Sequence, residues 1–303
     1  MKKIIIMFLI SLCFFLRIIA QENVNIFNDT QNAIESADIN CNDDYILTGG
    51  AYLRLWDCVE KRSSHIFHYD KDKILCVKFY GKNSNALIAT ANRRIIFYNL
   101  KDEEVLYLTE EIQSLVYSIQ VVDNIAFLGC ADGSIYKVDL ESYSIKIIHK
   151  NQHPIVGMKV VDGFIYYVDN LHLVVINVGR GNQIKEIDIK GSNSIDVINN
   201  IVFIGCYGGK VAVVRDFKKI KSITTCLVGA VKHLGYNEYV LLYGEDQNIQ
   251  LWDFKKEVLL YTFKGHVLPV TAVLVNDKKK EFYSVSRDGT VRFWNYQQFV
   301  KKN

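Results

Sequence analysis

The chain is 303 residues long, half of them apolar and 23% charged, with a net charge of +3. That balance excludes a disordered polar chain, and two prolines against eighteen glycines exclude collagen-like or Pro-rich sequence. Lys2, Lys3 and Arg17 supply the whole excess: from residue 21 onward 33 basic groups face 33 acidic ones, which leaves no electrostatic footprint for nucleic acid.

Residues 1–20 read MKKIIIMFLISLCFFLRIIA, a basic start, a thirteen-residue apolar run from Ile4 to Leu16, and the small Ala20. The run is too short to cross a hydrocarbon core of about 30 Å as a helix. It fits a signal peptide cleaved after Ala20, with an uncleaved anchor or a buried first segment as the alternatives. The expected division is therefore a leader, 1–20, and a folded body, 21–303. Within the body no apolar stretch approaches eighteen residues, so no membrane span is expected there. Asn28-Asp29-Thr30 is a glycosylation acceptor if the leader directs secretion. Six cysteines follow Cys13 without CxxC spacing, so neither a metal nor a cofactor is expected; Cys130 and Cys206, each after a glycine, read as buried small hydrophobes.

Along the body, short apolar runs recur: LRLWD at 53–57, RIIFYN at 94–99, SIYKVD at 134–139, HLVVIN at 172–177, KVAVVR at 210–215, IQLWD at 249–253 and TVRFWN at 290–295. Aligned on Trp56, Tyr98, Val138, Ile176, Val214, Trp252 and Trp294, they lie 42, 40, 38, 38, 38 and 42 residues apart. Each unit divides into four short pieces rich in Val, Ile, Tyr and Phe and bounded by Gly, Asn or Asp, which predicts strands. Four antiparallel strands per unit make a propeller blade, apolar on both faces because each blade packs between two others. The expectation is all-β, a seven-bladed β-propeller. Only 297–303 follow the last run, so Asn23–Phe27, apolar at 24 and 26, is expected to supply the missing outer strand and close the ring.

The last unit, FKGH…PVTAVLV…FYSVSRDGTVRFWN, resembles the WD-repeat (Trp-Asp) family, strongly here and in the first and sixth units and weakly in the other four. The resemblance implies a buried hydrogen-bonded set from His266, Ser284, Asp288 and Trp294. A buried indole N–H and a buried carboxylate each require a partner, and one connected network satisfies both. In the sixth unit Leu242 and Leu227 replace the serine and histidine, and in the third Val138 replaces the tryptophan.

The same resemblance implies partner proteins or peptides bound on the face carrying the turns between each blade's second and third strands. The candidates there are Asp169, Tyr207, Glu245 and Arg287, of which tyrosine and arginine are the types that dominate interfaces. No GxSxG, HExxH, P-loop or dinucleotide fingerprint is present, so no catalytic residue is assigned and a propeller hydrolase has the least support. The expected function is a non-catalytic interaction scaffold on the secretory route; the alternative is an intracellular subunit of a multiprotein complex of trafficking or translation type.

Overall fold

The computed structural model describes residues 26–28, 32–67, 72–109, 112–180, 182–225, 229–235 and 239–300. Its strands form six antiparallel sheets, and the seven repeats appear in them as seven four-stranded units. Blade one is Ile34–Ile39, Tyr45–Gly50, Leu53–Asp57 and Arg62–Phe67; blade two is Ile74–Tyr80, Asn85–Thr90, Ile95–Asn99 and Glu104–Leu108. Blade three is Val116–Val122, Ile125–Cys130, Ser134–Asp139 and Ile145–Lys150. Blades four and five share one sheet because a single strand, Gln183–Ile198, is outermost in blade four and innermost in blade five. The rest of blade four is Gly157–Val161, Phe164–Val168 and Asn170–Asn177, and of blade five Ile201–Cys206, Lys210–Arg215 and Lys218–Thr224. Blade six is Ala230–His233, Tyr239–Tyr243, Ile249–Asp253 and Val258–Phe263. Blade seven is Val270–Asn276, Glu281–Ser286 and Thr290–Asn295, with Ile26–Asn28 paired antiparallel on its outer edge, Asn28 opposite Thr290. Segments 1–25 and 29–31 lie outside the described residues, as do the leader boundary, residues 23–25 and most of the Asn28 acceptor motif.

The aligned positions of the seven runs are structurally equivalent. Trp56, Tyr98, Val138, Ile176, Val214, Trp252 and Trp294 each sit opposite the second residue of their blade's second strand. The hydrophobic clusters straddle neighbouring blades: Leu87 and Phe97 of blade two, for example, pack with Leu128 and Val138 of blade three. Gly49 and Gly129 allow this approach, since a Cβ on either would fall 2.3 Å from Ile74 and 2.7 Å from Ile155 of the next blade. Among the described residues no helix is long and apolar enough to cross a membrane. Cys130 and Cys206 are buried and unpaired, as are Cys58 and Cys76. Burial pushes the Cys58, Cys76 and Cys130 thiols up to about 12, which leaves them inert.

The innermost strands carry a second order that single units hide. Opposite the third residue of each second strand stand Asp38, Lys78, Gln120, Lys159, Asp196, Lys232 and Leu274, one per blade. Lys78 reaches Asp38 across the blade one–two junction at 2.5 Å, and Asp196 lies 3.2 Å from Lys159 and 3.6 Å from Lys232. The Asp196 carboxylate also accepts the His233 amide at 2.8 Å. Burial alone would raise its pKa, but Lys232, Lys159 and that amide hold it well below the usual carboxylate range. One buried anion thus ties three blades together.

Candidate functional site: the channel mouth

Each turn between a blade's second and third strands opens on one face. Around its mouth a cavity of about 570 Å³ is lined by Glu35, Tyr207, Gly208, Gly229, Gly244, Glu245 and Arg287, among others. Three of the four predicted partner-binding residues therefore meet there, from three consecutive blades. Tyr207 is 61% exposed, Glu245 is exposed, and the Arg287 side chain is half exposed.

Arg287 is aimed by a residue that sequence reasoning missed. Glu35, at the start of blade one, accepts from Arg287 Nε through Oε2 at 3.2 Å, with Nη2 in ion-pair range of the same oxygen at 3.2 Å, and from Lys73 Nζ through Oε1 at 2.7 Å. Burial pushes the Glu35 carboxyl up, but Lys73 and Arg287 outweigh it and hold it below its ordinary value. Thr271 of blade seven adds a hydrogen bond to the Ile34 carbonyl at 3.0 Å. Arg287 comes from blade seven and Lys73 from the entry to blade two, so only the packing of blade one against both neighbours brings these residues together and nothing local to Glu35 announces it.

Asp169 does not join the mouth. It is 2% exposed, and its oxygens accept the amides of Leu171 (3.0 Å) and His172 (2.7 Å) and the side chain of Asn151 (2.8 Å). Burial raises its pKa and these three donors more than reverse that. Its turn is one residue out of step with blade seven, so Asp169 does the amide-capping work that Asp288 does there and has no free oxygen for a partner.

The network in blade seven is assembled in full. Trp294 Nε1 donates to Ser284 Oγ at 2.7 Å, Ser284 Oγ meets His266 Nε2 at 2.7 Å, and His266 Nδ1 meets Asp288 Oδ2 at 2.8 Å. Burial lowers the His266 pKa against the pull of Asp288, so the ring is neutral, and Asp288 is held well below the usual carboxylate range despite its own burial. Protons then run one way: indole N–H to serine oxygen, serine O–H to Nε2, and Nδ1–H to carboxylate. The order is that of a hydrolytic triad, yet the His266 side chain is 0% exposed and Ser284 is fully buried, so no substrate reaches the hydroxyl.

Other blades satisfy the same need differently. In blade one Trp56 Nε1 donates to Thr48 Oγ1 at 2.8 Å, a threonine not singled out in the sequence, though it is the fourth residue of its second strand, as Ser284 is. In blade six, with Leu242 at that position, Trp252 turns to Gln250 Oε1 at 3.0 Å. In blade three Asp132 binds Lys150 and Ser134. Among the described residues no three His, Cys, Asp or Glu side chains gather as a metal-ligand set.

Residues 257–295, the outer strand of blade six and three strands of blade seven, match the family model described as "WD domain, G-beta repeat". Over 56 residues the chain is 36% identical to Pre-mRNA-processing factor 19 of Bos taurus, and equally to that of Homo sapiens. The match takes in 18% of this chain and 11% of each relative, so the chain spans about a tenth of the length of these relatives. One repeat is thus matched by sequence, it contains the complete hydrogen-bonded set, and its four-stranded unit recurs around the whole described body. The chain therefore carries a WD repeat at 257–295, set in an all-β body of repeated four-stranded units like that of a WD-repeat β-propeller.

Proposed function

We propose that the protein is a non-catalytic interaction platform that holds a partner protein at the channel mouth. The observation that carries this reading is the convergence of Tyr207, Glu245 and Arg287 on one open cavity. An exposed tyrosine and a guanidinium already oriented by Glu35 lose little side-chain freedom when a partner arrives, which is what interface anchors require. Capture from extracts of the native cell with the parent, Tyr207→Ala and Arg287→Ala proteins tests it. Recovery of the partner is expected to fall about tenfold or more in each variant, with thermal unfolding of Tyr207→Ala unchanged. Equal recovery by all three overturns the assignment of the mouth.

We place this platform in an intracellular multiprotein complex. The support is the likeness to relatives named for pre-mRNA processing, which is work done inside the cell. One observation favours a second reading: the apolar run Ile4–Leu16 has the composition of a secretion signal, and Asn28 follows it as a glycan acceptor. Intact mass and N-terminal peptide mapping of the protein from its native cell separate the two. A chain beginning at Met1 with Asn28 unmodified is expected, whereas a start at Gln21 or a glycan on Asn28 replaces it with the secretory reading.

A further inference from the structure

On the face opposite the mouth, the residue two positions after each aligned position closes the groove toward the preceding blade. These residues are Cys58, Leu100, Leu140, Val178, Phe254 and Tyr296 in blades one, two, three, four, six and seven. Cys58, Leu140, Phe254 and Tyr296 are buried, and Leu100 and Val178 are partly buried against the neighbouring core. Phe254, for instance, meets Phe203 of blade five edge-on at 5.6 Å. In blades one to four and seven the plug's amide also bonds the carbonyl of the turn ahead of it, as Cys58 does with Asp44 at 2.8 Å. The residue before each plug is Asp or Asn, and it caps the amides of a longer loop, as Asp57 does for Val59 and Glu60.

Blade five breaks all of these features at once. Arg215 replaces the capping residue, and the connection shrinks to two residues, Asp216 and Phe217, between Arg215 and its partner Lys218. Both adopt left-handed φ, +50° and +58°, as a primed hairpin turn demands, although a phenylalanine is strained there. Asp216 is exposed and plugs nothing. What remains is a cavity of about 240 Å³ walled by Phe164, Tyr166, Leu173, Val202 and Val214, with Phe217 at its rim, 41% exposed. Tyr166 stands where Phe203 stands beside Phe254, so the cavity is the unfilled counterpart of the other six grooves. Asp162 and Asp216 flank it, exposed and with no ion-pair partner among the described residues.

We propose that this slot between blades four and five is a docking site for a partner protein segment that inserts one aromatic side chain flanked by basic residues. The six filled grooves define the chemistry of the missing plug, apolar and up to the size of phenylalanine or tyrosine. The two unpaired carboxylates define its flanks. The site is separate from the mouth and does not depend on what binds there.

The test titrates the full chain, methyl-labelled at leucine and valine, with acetyl-Lys-Phe-Lys-amide. Saturable shifts are expected at Leu173, Val202 and Val214, with a Kd on the order of 1 mM for so short a probe. Acetyl-Lys-Ala-Lys-amide and acetyl-Glu-Phe-Glu-amide are expected to leave these methyls unmoved. The Asp162→Asn/Asp216→Asn double variant is expected to weaken binding at least about threefold at low salt. Asparagine tolerates the positive φ of +49° and +50° at these positions, so the fold is kept. An equal response to either control peptide, an unchanged double variant, or no shift at the three methyls overturns the proposal. Concentration-dependent shifts without peptide would put a second copy of the chain in the slot and overturn it equally.

Discussion

Replacing Asp196 with alanine is expected to lower the unfolding free energy by about 3–5 kcal/mol, the range for removing one partner of a buried ion pair. The side chain is 8% exposed and bridges Lys159 of blade four and Lys232 of blade six from its own place in blade five. Its loss leaves two half-buried ammonium groups facing each other and the His233 amide without its acceptor. Lys232 already sits below its ordinary pKa: Asp196 raises it, but repulsion from Lys159 and burial prevail. Urea unfolding of the parent, Asp196→Ala and the double variant Asp196→Ala/Lys159→Met checks this. The double variant is expected to recover part of the loss because it removes one unpaired charge; a single-variant cost below about 1 kcal/mol would be that of a surface pair and would contradict the bridging role.

The second large effect belongs to Ser284. Its alanine variant is expected to cost about 3 kcal/mol, because the Trp294 N–H and the His266 acceptor nitrogen are both left buried without their partner. Thr48→Ala in blade one, where a single Trp56 bond is lost, is expected to cost about half as much. The same network makes stability depend on pH. His266 is held below its ordinary value of 6.5 when folded, so the unfolded chain takes up a proton first as pH falls. Stability therefore decreases with falling pH from about 6.5 downward, until the folded imidazole itself titrates. Unfolding measured at about pH 7.5 and about pH 5.5 is expected to show this decrease, and His266→Gln, which titrates in neither state, to lack that share of it. An unchanged slope in His266→Gln would assign the pH dependence to other groups.

The blades were legible because packing between two neighbours forces an apolar run at a fixed place in every repeat. That is why Trp56 and Val214, chemically unlike, hold the same register. The blade-seven network was legible because each member lies within one repeat. Glu35 and Asp196 were not, since their partners come from other blades and an acidic residue in a strand carries no local sign of them. Asp169 misled for a related reason: whether a turn aspartate faces solvent or caps its own turn depends on a one-residue change in turn length. The vacant slot was hidden in the shortening of one loop, which reads in sequence only as a weaker repeat.

The strand Gln183–Ile198 has a consequence for how the chain comes apart. Among the described residues no other strand is shared between successive blades, so another blade can fray without pulling on a ladder it holds in common with the next. Blades four and five instead divide one continuous ladder, with Gly191 and Ser192 at the crossing. Local opening on either side must propagate through shared backbone, making the pair a single cooperative unit in an otherwise modular ring. A chain break or inserted domain is therefore far better tolerated at the other blade boundaries than between residues 188 and 194. The only double-width segment of the described ring is also the one that frames the unfilled slot, so a partner lodged there would grip its least divisible part.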